Sequence, residues 1–290
     1  MNKFFLYFIV ITCSLSTSPT LTKCSRFPPE GVSPLFSFGH TILPKGTVII
    51  DEAVLHYGFT HRSATIAFTD VFYSITDALT VNGQIPIFSQ SPPEGTCGKK
   101  TGLADILLRG NYQIYLDKKE NDHRYRIITT AGVRVPSSTV AQKTIYSLGA
   151  TNFFLGITHE LMTNDWYIYN DFGAVLTTKR HCTKAGNIIL NNAGIGRVKC
   201  FNNRLYLTFF AELSSFYSRP DTVNGKRDLT TGETIIFVGP TFRLEYLTSP
   251  DPFRSILLQL GFQYVVDHRT RVKPTNDIKY VVGALLAYIF

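Results

Sequence analysis

The sequence predicts an all-β fold, a transmembrane antiparallel up-and-down β-barrel of about 12 strands. Three observations favour it: segments with a two-residue period recur along the chain, their connections alternate between short and long, and the last segment ends in an aromatic stripe. The composition agrees, because only 17% of the 290 residues are charged and 13% are aromatic. A soluble domain carries about 25% charged residues, and a disordered chain needs low hydrophobicity and high charge.

The first 24 residues predict a secretory signal peptide. Lys3 supplies a positive charge, residues 4–12 are apolar, and small and hydroxyl residues follow. We expect cleavage between Ser16 and Ser25 and an oxidising destination. Residues 25–46 contain four prolines and predict an irregular lead-in to a barrel domain of residues 47–290.

Segments of period two fill the rest of the chain. Between Ala104 and Leu116, for example, Leu108 and Tyr112 lie on one face and Arg109 on the other, an arrangement that only a strand produces. Most segments reach the 9–11 residues that a tilted strand needs to cross a bilayer, and no run of 18 apolar residues follows the N-terminus. The twelve predicted strands are residues 47–60, 64–73, 78–88, 104–116, 123–135, 150–162, 166–177, 187–200, 204–217, 233–246, 253–266 and 276–290.

The connections indicate a membrane barrel and not a soluble one. Even-numbered connections such as 163–165 are short turns, whereas odd-numbered ones such as 89–103 are long, polar and basic, and only 61–63 breaks the pattern. Short periplasmic turns and long outer loops are typical of outer-membrane barrels. We therefore predict a bacterial outer-membrane location, lipid around the barrel, and loop Lys and Arg side chains that face lipopolysaccharide phosphates.

The C-terminal segment carries an aromatic stripe. Tyr280, Tyr288 and Phe290 occupy alternate positions, and Phe290 is the final residue. An ending of this kind is typical of the assembly signal of bacterial outer-membrane proteins. We predict that Tyr288 and Phe290 are read by the barrel-assembly machinery.

Charged residues opposite the apolar faces predict a polar lumen. They could set a transverse field that favours anionic solutes, or pair with one another and fill a narrow lumen, because an unpaired buried charge is costly. Glu52 and Glu245 are expected to join them. The predicted lumen and solute-path residues are Asp105, Arg109, Arg124, Arg126, Arg134, Glu160, Glu212, Arg243 and Lys279.

The cysteines and the missing motifs complete the predictions. Cys97 and Cys182 both fall in outer loops and are candidates for a disulfide, although spacing alone does not fix connectivity. The chain has no G-x-S-x-G, H-E-x-x-H, C-x-x-C or EF-hand pattern. We therefore expect no catalytic residue, no metal, no cofactor and no nucleic-acid partner. An outer-membrane lipase would need a histidine near the outer rim, and His181 lies in an outer loop, but no serine is singled out beside it.

Several stretches resemble the outer-membrane transporter-like family of the MetA pathway of phenol degradation. Leu43-Pro44-Lys45-Gly46 is similar to its LPxG lead-in, and residues 73–81 (YSITDALTV) to its YGLTDRLxL turn. Residues 102–112 resemble its GxGDxxLxxKY motif, with Ala104 and Asn111 in place of Gly and Lys. The resemblance runs in order over residues 43–290 and implies a twelve-stranded barrel that passes small, often hydrophobic or aromatic, compounds.

Together these observations predict an outer-membrane channel or transporter that passes small molecules passively, aromatic or anionic ones among them. The alternative is a non-transporting surface barrel, an adhesin or structural protein that presents basic outer loops. A conducting lumen distinguishes the two.

Overall fold

A computed structural model describes residues 34–37, 41–91, 100–119, 123–137, 150–180, 182–201, 204–249, 254–270 and 277–290. The predicted signal peptide lies outside these ranges. Within them the chain contains no helix that is long and apolar enough to span a membrane.

The described residues form seventeen strands. Twelve are long, between 12 and 16 residues, and five are short. They are β1 (Val48–Phe59), β2 (Ser63–Thr76), β3 (Leu79–Gln90), β4 (Lys100–Leu103), β5 (Ile106–Lys119), β6 (His123–Val135), β7 (Asn152–Thr163), β8 (Trp166–Thr177), β9 (Lys179–Arg180), β10 (Thr183–Lys184), β11 (Ile188–Phe201), β12 (Leu205–Ser218), β13 (Asp221–Val223), β14 (Lys226–Asp228), β15 (Glu233–Leu247), β16 (Ser255–Thr270) and β17 (Ile278–Ile289).

The twelve long strands close into one antiparallel barrel. Each pairs with its neighbours along the chain, and the first pairs with the last in a ladder that begins at Ile49 and Ile289. The C-terminal residue joins this seam, because the N–H of Phe290 donates to the carbonyl of Val48 at 2.9 Å. The predicted fold is therefore confirmed, and each predicted segment coincides with one long strand to within four residues.

The two faces of the wall differ as a membrane requires. In β3 the side chains of Ile85 and Ile87 are each 51% exposed on the outside, while Phe88 is 6% exposed inside. Across the barrel the exposed face is apolar and the buried face carries amides and ions such as Asp70 and Gln259. This is the reverse of a soluble barrel, because the exterior contacts lipid.

Two outer connections that were predicted to be loops form a second sheet. The hairpin of β9 and β10 pairs with the hairpin of β13 and β14, giving four strands. The turn in the second hairpin is Asn224-Gly225, with φ of 50° and 78°. These positive φ values are typical of the type I′ turn, for which Asn-Gly is the preferred sequence.

Replacing Tyr288 and Phe290 by Ala should sharply lower the amount of protein in the outer membrane. Both side chains are exposed on the lipid face, at 42% and 62%, so their loss removes the presumed recognition signal without opening a cavity. An immunoblot of the membrane fraction measures the effect. Alanine at Phe262 and Tyr264, also exposed aromatics, is the matched control. An equal fall in both variants would show that the C-terminal position has no special role.

Candidate functional site

The periplasmic half of the lumen is filled by a buried ionic network around Glu160. One carboxylate oxygen of Glu160 lies 3.2 Å from Nη2 of Arg124 and 2.7 Å from Nε of Arg126. The other accepts hydrogen bonds from Nη2 of Arg126 at 2.9 Å and from the hydroxyl of Tyr167 at 2.8 Å. The carboxylate is fully buried. These contacts hold the three strands β6, β7 and β8 together across the inner wall.

The network continues on the strands that follow. Arg243 pairs with Glu245 at 2.8 Å, and Ser255 donates to the same carboxylate at 3.0 Å. Glu212 accepts hydrogen bonds from the hydroxyls of Tyr169, at 2.5 Å, and Thr241. In the periplasmic half of the lumen the predicted charges therefore pair with one another and with hydroxyls. This arrangement agrees with the second alternative given above, in which paired charges fill a narrow lumen.

A second charged group lies where β2, β3 and β5 meet, and β5 is the strand next to β6. Nη2 of Arg109 is 3.7 Å from a carboxylate oxygen of Asp70, and its Nε donates to the amide oxygen of Asn82 at 3.2 Å. Asp70 also accepts from Asn82 at 3.0 Å and from Gln84 at 2.9 Å. Arg109 was among the predicted lumen residues but Asp70 was not, although the inward position of Asp70 follows from the alternation of β2.

The N-terminal lead-in crosses the lumen and contacts β2, β5 and β8. The carbonyl of Leu43 accepts from the hydroxyl of Ser74 at 2.6 Å, and that of Thr41 from the amide of Asn111 at 3.3 Å. Farther along, the hydroxyl of Ser37 donates to Asp171. We call residues 34–43 the luminal segment; its described parts contact β2, β5 and β8.

Two glycines make room for the end of the luminal segment. A Cβ at Gly261 would lie 2.7 Å from the ring of Phe36, and one at Gly283 would lie 2.7 Å from the side chain of Leu35. Gly261 and Gly283 are direct cross-strand partners, so together they form a recess in the wall. A larger residue at either position would force the side chain of Leu35 or Phe36 to shift.

Above the luminal segment, a cavity of about 750 Å³ occupies the outer half of the lumen. Its lining is mainly apolar, with seven phenylalanines among the lining residues, and it carries three arginines, Arg62, Arg109 and Arg134, together with the carboxylates of Asp221 and Glu233. Partial burial lowers the pKa of the Arg62 guanidinium, which nevertheless stays charged at physiological pH. The phenylalanines of the lining are Phe36, Phe59, Phe68, Phe88, Phe154, Phe216 and Phe237.

The remaining predicted lumen residues have different positions. Asp105 is buried between β4 and β5, and Arg134 is partly buried at the outer end of β6. Lys279, by contrast, is exposed, so its prediction as a lumen residue was wrong. The reason is a bulge: Gly58 pairs with Tyr280 but Phe59 pairs with Ile278, so Lys279 is the extra residue and the alternation is interrupted there.

Glu52 was also wrongly placed in the lumen. It is exposed on the outer face, where its carboxylate accepts hydrogen bonds from the hydroxyl of Thr69 at 2.9 and 3.0 Å. Asp51 and Glu52 are consecutive, so only one of them can face inward, and Asp51 is the buried one. The sequence alone does not decide between two adjacent acids.

The proposed disulfide between Cys97 and Cys182 is contradicted. Cys182 is a free, exposed thiol, whereas Cys200, at the periplasmic end of β11, is disulfide-bonded. Cys97 lies outside the described residues. Both outer loops were expected to bring their cysteines together, but the hairpin that carries Cys182 is instead fixed by the neighbouring hairpin, whose Asn224 N–H donates to the Cys182 carbonyl at 2.8 Å.

The outer rim contains a histidine that the sequence analysis did not single out. Nε2 of His268 lies 3.2 Å from Glu233, and Nδ1 lies 3.3 Å from Asp277. Because the two carboxylates face opposite ring nitrogens, the three groups cannot bind one metal ion together. Within the described ranges no group of three or more His, Cys, Asp or Glu side chains could hold a metal, and His181 lies outside them.

The fold is that of an outer-membrane β-barrel. Superposition on the COG4313 outer membrane channel from Pseudomonas putida F1 gives a TM-score of 0.64, with 12% identity over 86% of this chain and 97% of that chain. The NanC porin gives 0.45 with 13% identity over 83% and 98%, and the CymD monoaromatic hydrocarbon channel gives 0.38 with 9% identity over 93% and 99%. At 12% identity, the likeness to the COG4313 channel shows a shared fold.

No protein-family model matches the chain, and no curated protein matches it significantly. The resemblance to the phenol-degradation family agrees with the fold and otherwise rests on the sequence motifs alone.

Proposed function

We propose that this chain is a passive outer-membrane channel for small molecules, and that its outer cavity takes up aromatic carboxylates. The cavity is the observation that carries the proposal. Its volume of about 750 Å³ falls in the range of sites for small organic ligands.

The lining supports this solute class. Phenylalanine side chains such as Phe68 and Phe154 on several strands provide apolar surface for an aromatic ring, and ring pairs prefer offset or edge-to-face contact. Arg109 and Arg134 lie on neighbouring strands of one wall, and guanidinium groups bind carboxylates through paired hydrogen bonds. A solute with a ring at one end and a carboxylate at the other satisfies both surfaces.

The luminal segment favours the second candidate, a surface barrel that does not transport. Because its contacts reach from β2 to β8 across the lumen, passage requires the segment to move or to leave a gap beside it. Ion conductance of the purified protein in planar bilayers, with swelling of liposomes in arabinose, distinguishes the two candidates.

Benzoate added on the loop side should interrupt the ion current, and acetate at the same concentration should not. Arg134→Gln should weaken the benzoate effect about tenfold, the value of one charge-assisted hydrogen bond. Arg269→Gln is the control, because that side chain is 79% exposed and pairs with Asp267 outside the cavity. A barrel without conductance would support the surface-protein alternative, and conductance that benzoate leaves unchanged would refute the proposed solute class.

A further inference from the structure

We propose that the four-stranded sheet of the outer loops is a binding site for lipopolysaccharide phosphates. The sheet consists of β9, β10, β13 and β14, and its pairings place a set of cations in register. Lys184 pairs with Lys179 on one side and with Thr222 on the other, and Thr222 pairs with Arg227.

Directly paired residues of an antiparallel sheet project from the same face. Lys179, Lys184, Thr222 and Arg227 therefore form one row across all four strands, which we call the basic row. With strands about 4.8 Å apart, the row extends over about 14 Å. It presents three cations and a hydroxyl, groups that bind phosphate oxygens.

The basic row has no internal counter-ions. Within the part of the chain that the structure describes, no carboxylate forms an ion pair with Lys179, Lys184 or Arg227. The two acids of the sheet, Asp221 and Asp228, pair with each other. Asp221 is next to Thr222 in the sequence and Asp228 is next to Arg227, so both acids lie on the opposite face of the sheet. Because like charges placed directly opposite destabilise a strand pair, an external anion at the Lys179–Lys184 pair would stabilise the sheet.

The orientation of the sheet identifies the source of that anion. Asp221 lines the mouth of the outer cavity, and Thr222 follows it in β13, so alternation turns the basic row away from the cavity. The sheet belongs to the connections that follow β8 and β12, so the row lies at the outer ends of these strands and faces away from the cavity. In an outer membrane, lipopolysaccharide surrounds the outer strand ends, and we take the phosphates of its lipid A as the source of the anion.

The sheet is held firmly enough to act as a preformed site. The hairpin tips are joined by the hydrogen bond from Asn224 to Cys182 at 2.8 Å. At the base, the N–H of Gly186 donates to the carboxylate of Asp221 at 2.8 Å, and the N–H of Asp221 donates to the hydroxyl of Thr231 at 2.7 Å. The cations are thus carried on a fixed backbone instead of a flexible loop.

The test measures binding of the full-length barrel to vesicles that contain lipid A. Replacement of Lys179, Lys184 and Arg227 by Gln should lower the affinity for lipid A about 100-fold, since each Lys or Arg near an anionic surface contributes about fivefold. The control carries the same charge change at Lys118, Lys119 and Arg204, which are exposed at the periplasmic end of the barrel, and should bind as the wild type does. Heat-modifiable gel migration verifies that both variants are folded.

Two further vesicle experiments identify the ligand. Wild-type barrel should lose the same affinity when lipid A is replaced by its dephosphorylated form. Soluble polyphosphate, added to the barrel in vesicles without lipid A, should bind to the basic row more weakly than lipid A does. Unchanged lipid A binding in the triple variant, or polyphosphate binding that exceeds lipid A binding, would overturn the proposal.

Discussion

Replacing Glu160 by Gln should destabilise the barrel by about 3–5 kcal/mol, the typical cost of removing one partner from a buried ion pair. The substitution keeps the shape of the side chain but removes the charge that compensates Arg124 and Arg126. Both guanidinium groups are almost fully buried, so water cannot replace the lost partner. The variant should convert to its unfolded gel mobility at a clearly lower temperature, and unfold at a lower urea concentration.

Glu52→Gln provides a matched control for this experiment. It removes the same charge from an exposed carboxylate that accepts hydrogen bonds from the hydroxyl of Thr69, so stability should change little. If Glu160→Gln were as stable as the wild type, the arginines would have to be neutralised in another way. The network would then be open to water and available to solutes.

The fold could be predicted because each barrel strand has one face in lipid. This constraint places an apolar side chain or glycine at every second position over about ten residues, as in β3 and β16, and the pattern is visible without any knowledge of tertiary structure. Strand boundaries were less certain because turns and loops near the membrane surface are polar on both faces.

The inner wall was only partly predictable. Inward positions such as Arg124, Arg126 and Glu160 follow from alternation, but alternation fails at a bulge, as at Lys279. It also gives no information on which charges meet, since Arg126 faces Glu160 only because of the register between β6 and β7. Register depends on the closure of the whole barrel.

The luminal segment left no periodic signal in the sequence. It is irregular, and it is held through its own carbonyls and a serine hydroxyl by residues far away in the chain, such as Asn111 and Asp171. The sequence feature that accommodates the segment is the pair of inward-facing glycines on β16 and β17, Gly261 and Gly283. Their role becomes apparent only when β16 and β17 are known to be neighbours.

Deleting residues 34–43 should raise the single-channel conductance severalfold. The deletion removes Leu35 and Phe36 from the glycine recess and Ser37 and Thr41 from their luminal partners, which widens the path between the outer cavity and the periplasmic half. The strands remain paired through β1 and β17, so a folded barrel is expected. Planar-bilayer recordings of the refolded variant measure the change.

A second variant separates the segment's position from its length. Replacing Leu35 and Phe36 by Ser keeps the chain intact but removes the apolar anchors from the recess at Gly261 and Gly283, so the segment should leave the wall intermittently and the current should fluctuate between two levels. If neither variant changed the conductance, the narrowest point would lie below the segment. The buried network of Arg126, Glu160 and Tyr167 would then set the limit on passage, and substitutions in that network would have to alter conductance as well as stability.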